Sequence, residues 1–389
     1  MNSHASDDRD ALPEIDGRYL FGANSYTEWG RRVVRLRDTA PEVTALFDST
    51  INEPTAELVD VVRHAFAAGM SPRYASVFSG GNPFALRALA ARYGLRANQI
   101  IRTTGAMSGV AMALKALVRA GDEVLVERPG FSPHLGMITD LGATPVSVDR
   151  LAPSYGVDLD AIEAKLTPRT RAMVITNLHN PTGVYLPSPE IKALAERLAA
   201  AGCVFIVDEI YADFAEGAAP AARLGRNVIS VSSLTKVYGL FSLKFGWLAA
   251  DEALIAEIQA RLPDGDMGVS KLTHALAAHV LEAPEPFELH WKRTLEANRP
   301  LVLRAADAMK RAGTAEGDVP PFGCMYFPRI IGVDDTRELA RRLFDEHGVV
   351  VGPGEYFGAP GHIRIGFGNP AEPVEKALQR LVRGLAALR

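Results

Sequence analysis

Apolar residues recur along the chain with two spacings, one typical of helices and one typical of strands. The clearest helical stripe lies in residues 55–69, where the apolar positions at i, i+3, i+4, i+7 and i+8 are Leu58, Val61, Val62, Ala65 and Phe66. Such a stripe indicates an amphipathic helix, and Gly69 is a typical helix end. Residues 82–93 repeat the pattern ahead of Gly94.

Short apolar runs bounded by polar residues alternate with further helical stretches. The runs of strand length are residues 123–126, 144–148, 172–176, 204–207, 228–231 and 245–249. The helical stretches that separate several of them are residues 107–119, 158–166 and 189–201. Because buried parallel strands are apolar throughout and are connected by helices, this alternation predicts an α/β fold with a mainly parallel sheet covered by helices.

The pattern changes after residue 250. Helices are predicted at residues 251–261, 270–281, 287–311, 334–347 and 373–388, with strands near residues 325–329, 349–351 and 363–367. The predicted domain limits are a flexible lead-in at residues 1–18, an arm of the small domain at 19–45, a large domain at 46–270 and a small α+β domain at 271–389. We expect the functional site between the large and small domains.

Composition and charge exclude several classes of protein. The 389 residues are 48% hydrophobic and 23% charged, which argues against disorder, collagen-like repeats and a pure coiled coil. A formal net charge of -4 gives no overall basic field for nucleic acid or an anionic membrane, so we expect small-molecule partners.

Other features of the sequence bear on its location. Cys203 and Cys324 are too few for a disulfide framework and lack metal-ligand spacing, which favours a reducing compartment. The longest charge-free run, residues 172–189, contains three prolines and is not expected to cross a bilayer as a helix. Residues 1–16 have neither the basic start nor the apolar core of a signal peptide. A cytoplasmic location is therefore expected.

Short motifs follow the ends of predicted strands, where open α/β sheets bind their ligands. Residues 102–107, Arg-Thr-Thr-Gly-Ala-Met, lead into a helix whose first N–H groups could receive a phosphate, although small residues before a helix are more often only caps. Residues 177–183, Asn-Leu-His-Asn-Pro-Thr-Gly, indicate by themselves a turn between strand and helix.

Two further motifs carry charged residues at strand ends. Asp208 and Glu209 follow an apolar run, and a buried carboxylate is costly unless it meets a cation or several donors, so a helix cap is the simpler interpretation. Lys236 lies among small hydroxyl residues, where partial burial lowers the pKa of an amine and favours a covalent bond with a carbonyl. A lysine that extends into solvent is the alternative.

Taken together, these motifs have a specific order. Asn180, Asp208 and Lys236 follow one another at intervals of 28 and 28 residues, each after an apolar run, and Arg364 follows in His-Ile-Arg-Ile-Gly-Phe-Gly at 362–368. From about residue 54 onward the chain resembles the class I/II aminotransferases. These are aspartate-aminotransferase-like enzymes of fold type I that use pyridoxal 5'-phosphate.

The resemblance implies roles at the reacting end of the cofactor. Lys236 would hold it as an internal aldimine and then move a proton as general acid and base. Asp208 would pair with the pyridine nitrogen and keep it protonated, so that the ring accepts electrons. Asn180 and Tyr211 would bond the ring oxygen, and Arg364, with Asn180 beside it, would bind the substrate α-carboxylate through its planar fork.

The resemblance also implies the rest of the cofactor site. Phe131 matches an aromatic residue that stacks on the cofactor ring. The residues implied at the phosphate are Gly105, Ala106, Met107 through its backbone, Ser233 and Lys244. Tyr74 resembles a tyrosine that reaches the phosphate of the neighbouring subunit, which implies a homodimer. Lys244 departs from the pattern because the family usually has arginine there, yet a lysine still neutralises phosphate as a point charge.

Three functions remain open at this stage. The first is an aminotransferase that exchanges an amino group between an L-amino acid and a 2-oxo acid. The second is another fold type I enzyme, namely a Cα or Cβ lyase, a cyclase or an oxidase. The third is a regulatory domain of a transcription factor, which is disfavoured because about 45 residues are too few for a DNA-binding module. Side-chain specificity is expected from the arm near residues 21–29 and from residues 263–270 of a partner chain.

Overall fold

The computed structural model describes residues 15–40, 43–75, 81–215, 217, 219–262 and 270–387. In chain order the helices are α1 (Gly17–Phe21), α2 (Tyr26–Thr39), α3 (Thr55–Phe66), α4 (Pro83–Tyr93), α5 (Ala106–Leu117), α6 (Pro133–Asp140), α7 (Leu159–Glu163), α8 (Ser188–Ala200), α9 (Glu252–Arg261), α10 (Lys271–Glu282), α11 (Glu285–Arg311), α12 (Thr336–His347) and α13 (Ala371–Ala387). The strands are β1 (Thr44–Leu46), β2 (Ile100–Thr103), β3 (Glu123–Arg128), β4 (Thr144–Asp149), β5 (Thr170–Thr176), β6 (Val204–Asp208), β7 (Val228–Ser233), β8 (Gly246–Ala250), β9 (Ala315–Glu316), β10 (Met325–Tyr326), β11 (Arg329–Ile330), β12 (Val349–Pro353) and β13 (Ile363–Gly366).

The central sheet, over the described residues, has seven strands in the order β2-β8-β7-β6-β5-β3-β4. Neighbouring strands from β7 to β4 run parallel, whereas β8 runs antiparallel to both β7 and β2. The middle strands are buried almost throughout, which is why their sequences are mainly apolar. The predicted α/β class with a mainly parallel sheet is therefore confirmed.

A second sheet in the described chain has the order β1-β12-β13-β10. Its strand β1 lies close to the amino end of the sequence yet pairs in parallel with β12, with Thr44 opposite Val349. Helices α11 and α13 pack against each other beside this sheet. The amino-terminal arm and the carboxyl-terminal third thus share one sheet, while the proposed domain limits stay a prediction.

The strand expected near residues 325–329 differs in the structure. It forms two short strands, β10 and β11, which belong to different sheets. Pro328 lies between them, and proline has no N–H to continue a ladder of hydrogen bonds. Elsewhere, β2, α2 and α6 are present although no strand or helix was expected there.

None of the described helices combines the length and the apolar character needed to cross a membrane. The expected lead-in falls largely on residues 1–14, which lie outside the described residues, and α1 begins at Gly17. Cys203 and Cys324 are both free and buried.

Candidate active site

The carboxyl ends of β5, β6 and β7 lie side by side. In the register of the sheet Thr176 is opposite Asp208, and Asp208 is opposite Val231. The loops that follow these strands carry Asn180, Tyr211 and Lys236, so the spacing seen in the sequence becomes a shared edge of the sheet. Parallel strands place ligand-binding residues at this edge.

Asp208 is buried at the end of β6. Burial raises the pKa of its carboxyl group to about 7, and the nearby Lys236 ammonium opposes that rise. Its Oδ1 accepts a 3.2 Å hydrogen bond from the N–H of Ile210. The adjacent Glu209 differs, since both its oxygens accept the N–H of Ala221, at 3.0 and 3.2 Å. Of the two carboxylates, Glu209 therefore stabilises a loop, and Asp208 keeps the capacity to bind a cation or a protonated nitrogen.

His134 is a site residue that the sequence did not reveal. It lies on α6, with Nε2 3.7 Å from Oδ2 of Asp208, too long for a hydrogen bond. Burial lowers the pKa of its imidazole to about 4, so the ring is neutral at pH 7. The available signal was its position one helical turn after Phe131, whose ring it meets edge-on at 5.4 Å.

Lys236 follows β7 and is half-buried. Its backbone carbonyl accepts the N–H of Ile51 at 3.0 Å and the hydroxyl of Thr50 at 3.2 Å, which holds this turn against the segment after β1. No described residue forms a hydrogen bond or an ion pair with its ammonium group. The amine is thus held near Asp208 while staying available for a covalent partner.

The first turn of α5 lies open beside the sheet. Gly105 precedes the helix with a φ of 83°, a left-handed conformation that favours glycine, and no side chain caps the helix. A Cβ at Gly105 would meet nothing within 4 Å, so there is open space at the first N–H groups of α5. Such a helix start, with Ala106 and Met107 in its first turn, suits a phosphate.

Gly246 and Ser233 border this space from the neighbouring strands. They are opposite each other where β7 and β8 pair. A Cβ at Gly246 would come within 2.6 Å of the carbonyl carbon of Gly105, so only glycine lets the backbone of β8 pass. The hydroxyl of Ser233 accepts the N–H of Thr235 at 3.2 Å, which leaves its proton available.

Lys244 lies just before β8 in a left-handed conformation, with φ at 49°. Its Nζ lies 3.8 Å from the centre of the Phe241 ring. Burial, followed by repulsion from Lys236, lowers the pKa of its amine. The two lysines therefore feel each other's charge, and a phosphate beside them would relieve that repulsion.

Arg364 is fully buried on β13 and crosses to the large sheet. Its Nη1 donates to Oδ1 of Asn180 at 2.8 Å, and its Nη2 donates to the carbonyl of Phe47 at 2.9 Å and to the hydroxyl of Tyr26 at 3.0 Å. Tyr26 lies in the arm segment, residues 21–29, that was expected to contribute side-chain specificity, but neither its contact with Arg364 nor that of Phe47 was expected from the sequence. The contact with Asn180 places Arg364 at the same edge as Asp208 and Lys236.

Tyr211 lies in the loop that follows β6, and Phe131 lies in the loop that follows β3. The hydroxyl of Tyr211 is 2.8 Å from that of Ser49, and burial raises the pKa of the phenol well above its ordinary value. Phe131 meets the ring of Tyr26 edge-on at 5.3 Å. The ring-oxygen contact expected of Tyr211 and the stacking expected of Phe131 stay predictions.

Tyr74 lies apart from these residues. It is partly exposed, and the ammonium of Lys271 lies 5.9 Å from its ring centre. No described contact joins it to the other site residues of this chain. The residues that follow it, 76–80, and the specificity loop expected at 263–269 lie outside the described residues.

A cluster of buried polar and charged residues joins the loops that carry the site. Glu127 accepts a 2.8 Å bond from Arg150 and another, at 2.8 Å, from the N–H of Thr176. His179 donates from Nε2 to the carbonyl of Pro129 at 2.8 Å, and the pKa of its imidazole is lowered mainly by burial. Since Pro129 leads to Phe131 and His179 precedes Asn180, this bond ties two loops of the site together.

The residues present fit a phosphorylated pyridine aldehyde. Among the described residues, Nε2 of His134 and Nε of Arg364 are buried and have no hydrogen-bond partner. The donor set offers a lysine for the aldehyde, a carboxylate for the pyridine nitrogen and an open helix start for the phosphate. These groups match the separate parts of pyridoxal 5'-phosphate.

The fold and this set of side chains define a fold type I enzyme that depends on pyridoxal phosphate. The sequence pattern described as aminotransferase class I and II matches residues 46–381. The chain belongs to this aminotransferase family, as the motifs predicted.

Individual relatives show the range of the family. Capreomycidine synthase of Streptomyces vinaceus is 34% identical over 310 residues, which cover 77% of this chain and 76% of the relative. Arginine–pyruvate transaminase AruH of Pseudomonas aeruginosa is 31% identical over 307 residues, covering 75% and 76%. The solved structure of the pyridoxal-phosphate-dependent cyclase OrfR is similar with a TM-score of 0.80 and 25% identity, covering 98% of this chain and 100% of that one. By name, these relatives include a transaminase and a cyclase.

Proposed function

We propose that the protein is an aminotransferase that exchanges an amino group between an L-amino acid and a 2-oxo acid. The observation that carries this proposal is the convergence of Lys236, Asp208 and Arg364 at one edge of the central sheet. An amine, a buried carboxylate and a carboxylate-binding fork are the groups that such an exchange needs. The bound cofactor supplies an aldehyde and a ring that accepts electrons.

Each of the chain's own residues has a separate role in this proposal. Lys236 would hold the cofactor covalently through its amine, and the same amine would move the proton at the substrate Cα. Asp208 holds a proton on the pyridine nitrogen by charge, with His134 beside it. Arg364 orients the substrate by its α-carboxylate. Burial of Asp208 and Arg364 excludes water from both contacts, which strengthens them.

The test is to supply single amino acids together with 2-oxoglutarate or pyruvate and to measure all products. Amino transfer requires that a new amino acid form from the 2-oxo acid in a one-to-one ratio with the 2-oxo acid formed from the donor. A Lys236→Ala variant is the control and should form neither product. Consumption of the donor without a new amino acid would contradict the proposal.

Cyclisation is the second candidate function, and the similarity to OrfR favours it. The described residues provide for loss of the Cα proton, a step that both reactions share. A cyclase would consume its amino acid without any 2-oxo acid and would release a product that retains the amino group. Omitting the 2-oxo acid from the same assay therefore separates the two reactions.

We further propose that the donor has an uncharged or a cationic side chain. A cleft of about 520 Å³ opens beside Tyr26, Met107 and Ser132, next to the cofactor site. Its described lining includes Asp140, which is exposed, and Glu355, whose carboxylate accepts hydrogen bonds from Thr336, and it includes no lysine, arginine or histidine. Such a lining repels a side-chain carboxylate. The name of the arginine–pyruvate transaminase is consistent with this proposal.

We also propose a cytoplasmic homodimer. The location is supported by the two cysteines, which both remain free. The dimer is supported by Tyr74, a predicted phosphate ligand that this chain holds away from its own site. Light scattering of the purified protein tests the dimer, and a monomer with full activity would contradict it.

A further inference from the structure

We infer that Tyr26, in the amino-terminal arm, is a ligand of the substrate α-carboxylate, and that this carboxylate replaces Tyr26 as a partner of Arg364. The inference rests on the proposed function, because it takes Arg364 as the residue that receives the carboxylate. It concerns a residue outside the motifs that define the cofactor site.

Arg364 has no free hydrogen on Nη2 with which to bind a carboxylate. A guanidinium can bind a carboxylate with two parallel bonds through Nη1 and Nη2 or through Nε and Nη2, and Nη2 belongs to both pairs. Nη2 has two hydrogens, and both are already used, by the carbonyl of Phe47 at 2.9 Å and by the hydroxyl of Tyr26 at 3.0 Å. A two-pronged carboxylate must therefore displace Phe47 or Tyr26.

The unused donor of Arg364 supports this step. Its Nε is buried and has no hydrogen-bond partner in the described part of the chain. A buried, unpartnered donor is costly, so a ligand that bonds Nε and Nη2 together would remove this cost. The arrangement is complete only when a carboxylate is bound.

Tyr26 is the partner that can give way and still contribute. A carbonyl oxygen such as that of Phe47 only accepts hydrogen bonds, so it would repel a carboxylate. A phenol both accepts and donates, and no described residue uses the proton of Tyr26. Once the carboxylate has taken its hydrogen on Nη2, the hydroxyl of Tyr26 can donate to that same carboxylate.

The ring of Tyr26 keeps the hydroxyl within reach. It packs against Phe131 at 5.3 Å, Phe357 at 5.6 Å and Trp29 at 5.8 Å between ring centres. Three aromatic neighbours fix the ring, so exchange of one hydrogen bond needs only a small shift of the hydroxyl. A phenylalanine at position 26 would keep the ring packing and remove only the hydroxyl. A Tyr26→Phe variant therefore tests the hydroxyl alone.

The experiment compares two amines on the cofactor-loaded enzyme by the change in its visible absorbance. The first, 2-methylalanine, carries an α-carboxylate but no Cα hydrogen, so it binds whichever reaction follows. The second, isopropylamine, lacks the carboxylate. We expect Tyr26→Phe to raise the half-saturating concentration of 2-methylalanine about tenfold, the loss of one hydrogen bond to a charged group, and to leave that of isopropylamine unchanged.

Tyr19→Phe is the matched control, since it removes a hydroxyl from the same arm, where Tyr19 contacts Arg35 at 3.4 Å and not Arg364. This variant should bind both amines as the wild type does. An unchanged or tighter affinity of Tyr26→Phe for 2-methylalanine would overturn the inference, and so would an equal loss for both amines. If neither amine changes the absorbance of the wild type, the proposed function itself fails.

Discussion

Arg364 of β13 donates a 2.8 Å hydrogen bond to the side-chain oxygen of Asn180, which follows β5. This bond joins the second sheet to the central sheet in the middle of the site. Because Arg364 is fully buried, its charge depends on fixed partners rather than on water. In the proposed function, Arg364 therefore links the packing of the two sheets to substrate binding.

Arg364→Lys should raise the KM for amino acid substrates about 100-fold and leave cofactor absorbance in place. A lysine has three N–H donors and no planar fork, so it cannot keep Asn180 and Phe47 and also give a carboxylate two parallel bonds. Steady-state kinetics with a fixed 2-oxo acid measures the effect. Arg329→Lys is the control, because Arg329 is exposed and pairs with Glu316 at 3.0 Å, away from the site. A KM within twofold of wild type for Arg364→Lys would contradict the assignment.

Substitutions of the two lysines should affect different properties, namely covalent binding of the cofactor for Lys236 and affinity for the cofactor for Lys244. Lys236→Ala should abolish turnover and the visible absorbance of the covalently bound cofactor. Lys244→Ala should keep both at saturating cofactor, while its Kd for pyridoxal phosphate rises about tenfold because one charge near the phosphate is lost. Cofactor titration by absorbance measures each variant. Residual turnover in Lys236→Ala would contradict the mechanism.

Asp208→Asn should stabilise the cofactor-free protein, and increasingly so from pH 4 to pH 7. The folded pKa of Asp208, about 7, is above its ordinary value of 3.8, so in this window the native state keeps a proton that the unfolded chain has lost. The contribution of Asp208 to stability thus falls as pH rises and is constant above pH 7. The difference between the two proteins should reach up to about 4 kcal/mol.

Chemical unfolding at several pH values measures this difference. With bound cofactor the sign should reverse, because the carboxylate then has a protonated nitrogen as partner and asparagine does not replace it. A difference that is the same at pH 5 and pH 8 without cofactor would contradict the role of burial.

Gly246→Ala should weaken cofactor binding and destabilise the fold by about 1–3 kcal/mol, because its Cβ would overlap the backbone of Gly105. Gly30→Ala is the matched control. Gly30 lies within α2, a Cβ there meets nothing within 4 Å, and alanine should stabilise by about 0.5–1 kcal/mol. Thermal unfolding with and without cofactor compares them. Equal melting temperatures would show that the close approach is not required.

The donor cleft should discriminate by charge. We expect donors with uncharged or cationic side chains to have a higher kcat/KM than aspartate or glutamate. Asp140→Asn should reduce the preference for a cationic donor over an uncharged one of similar length by about two- to fivefold, since an exposed charge acts weakly. A donor panel with each variant measures this, and a preference for dicarboxylic donors in the wild type would contradict the proposed class.

The central sheet could be predicted because most of its buried strands contain a run of apolar residues. Strand β2 was missed because it is short and includes Arg102 and Thr103. Helix α2 was missed although Trp29, Val33 and Leu36 have helical spacing and are buried, and α6 was missed because it has only eight residues. Tertiary packing, which local pattern does not report, decides such elements.

The candidate site likewise contains residues that the sequence reveals and residues that it does not. Asn180, Asp208 and Lys236 were found because each follows a strand within a contiguous motif. The arm at residues 21–29 was expected to contribute specificity, but the contact of Tyr26 with Arg364 was not, because the two residues are 338 positions apart in the sequence. Phe47 contributes only its backbone carbonyl to Arg364. Every residue type has this group, so the sequence does not reveal the contact.

The reversed direction of β8 has a consequence for engineering this enzyme. Since β7 ends at the site and β8 begins there, one segment, residues 233–246, carries Ser233, Lys236, Lys244 and Gly246. Exchanging this hairpin as a unit would transplant the anchoring amine and its neighbouring cation in one piece. An insertion between Lys236 and Lys244 would lengthen the segment that joins these two charges.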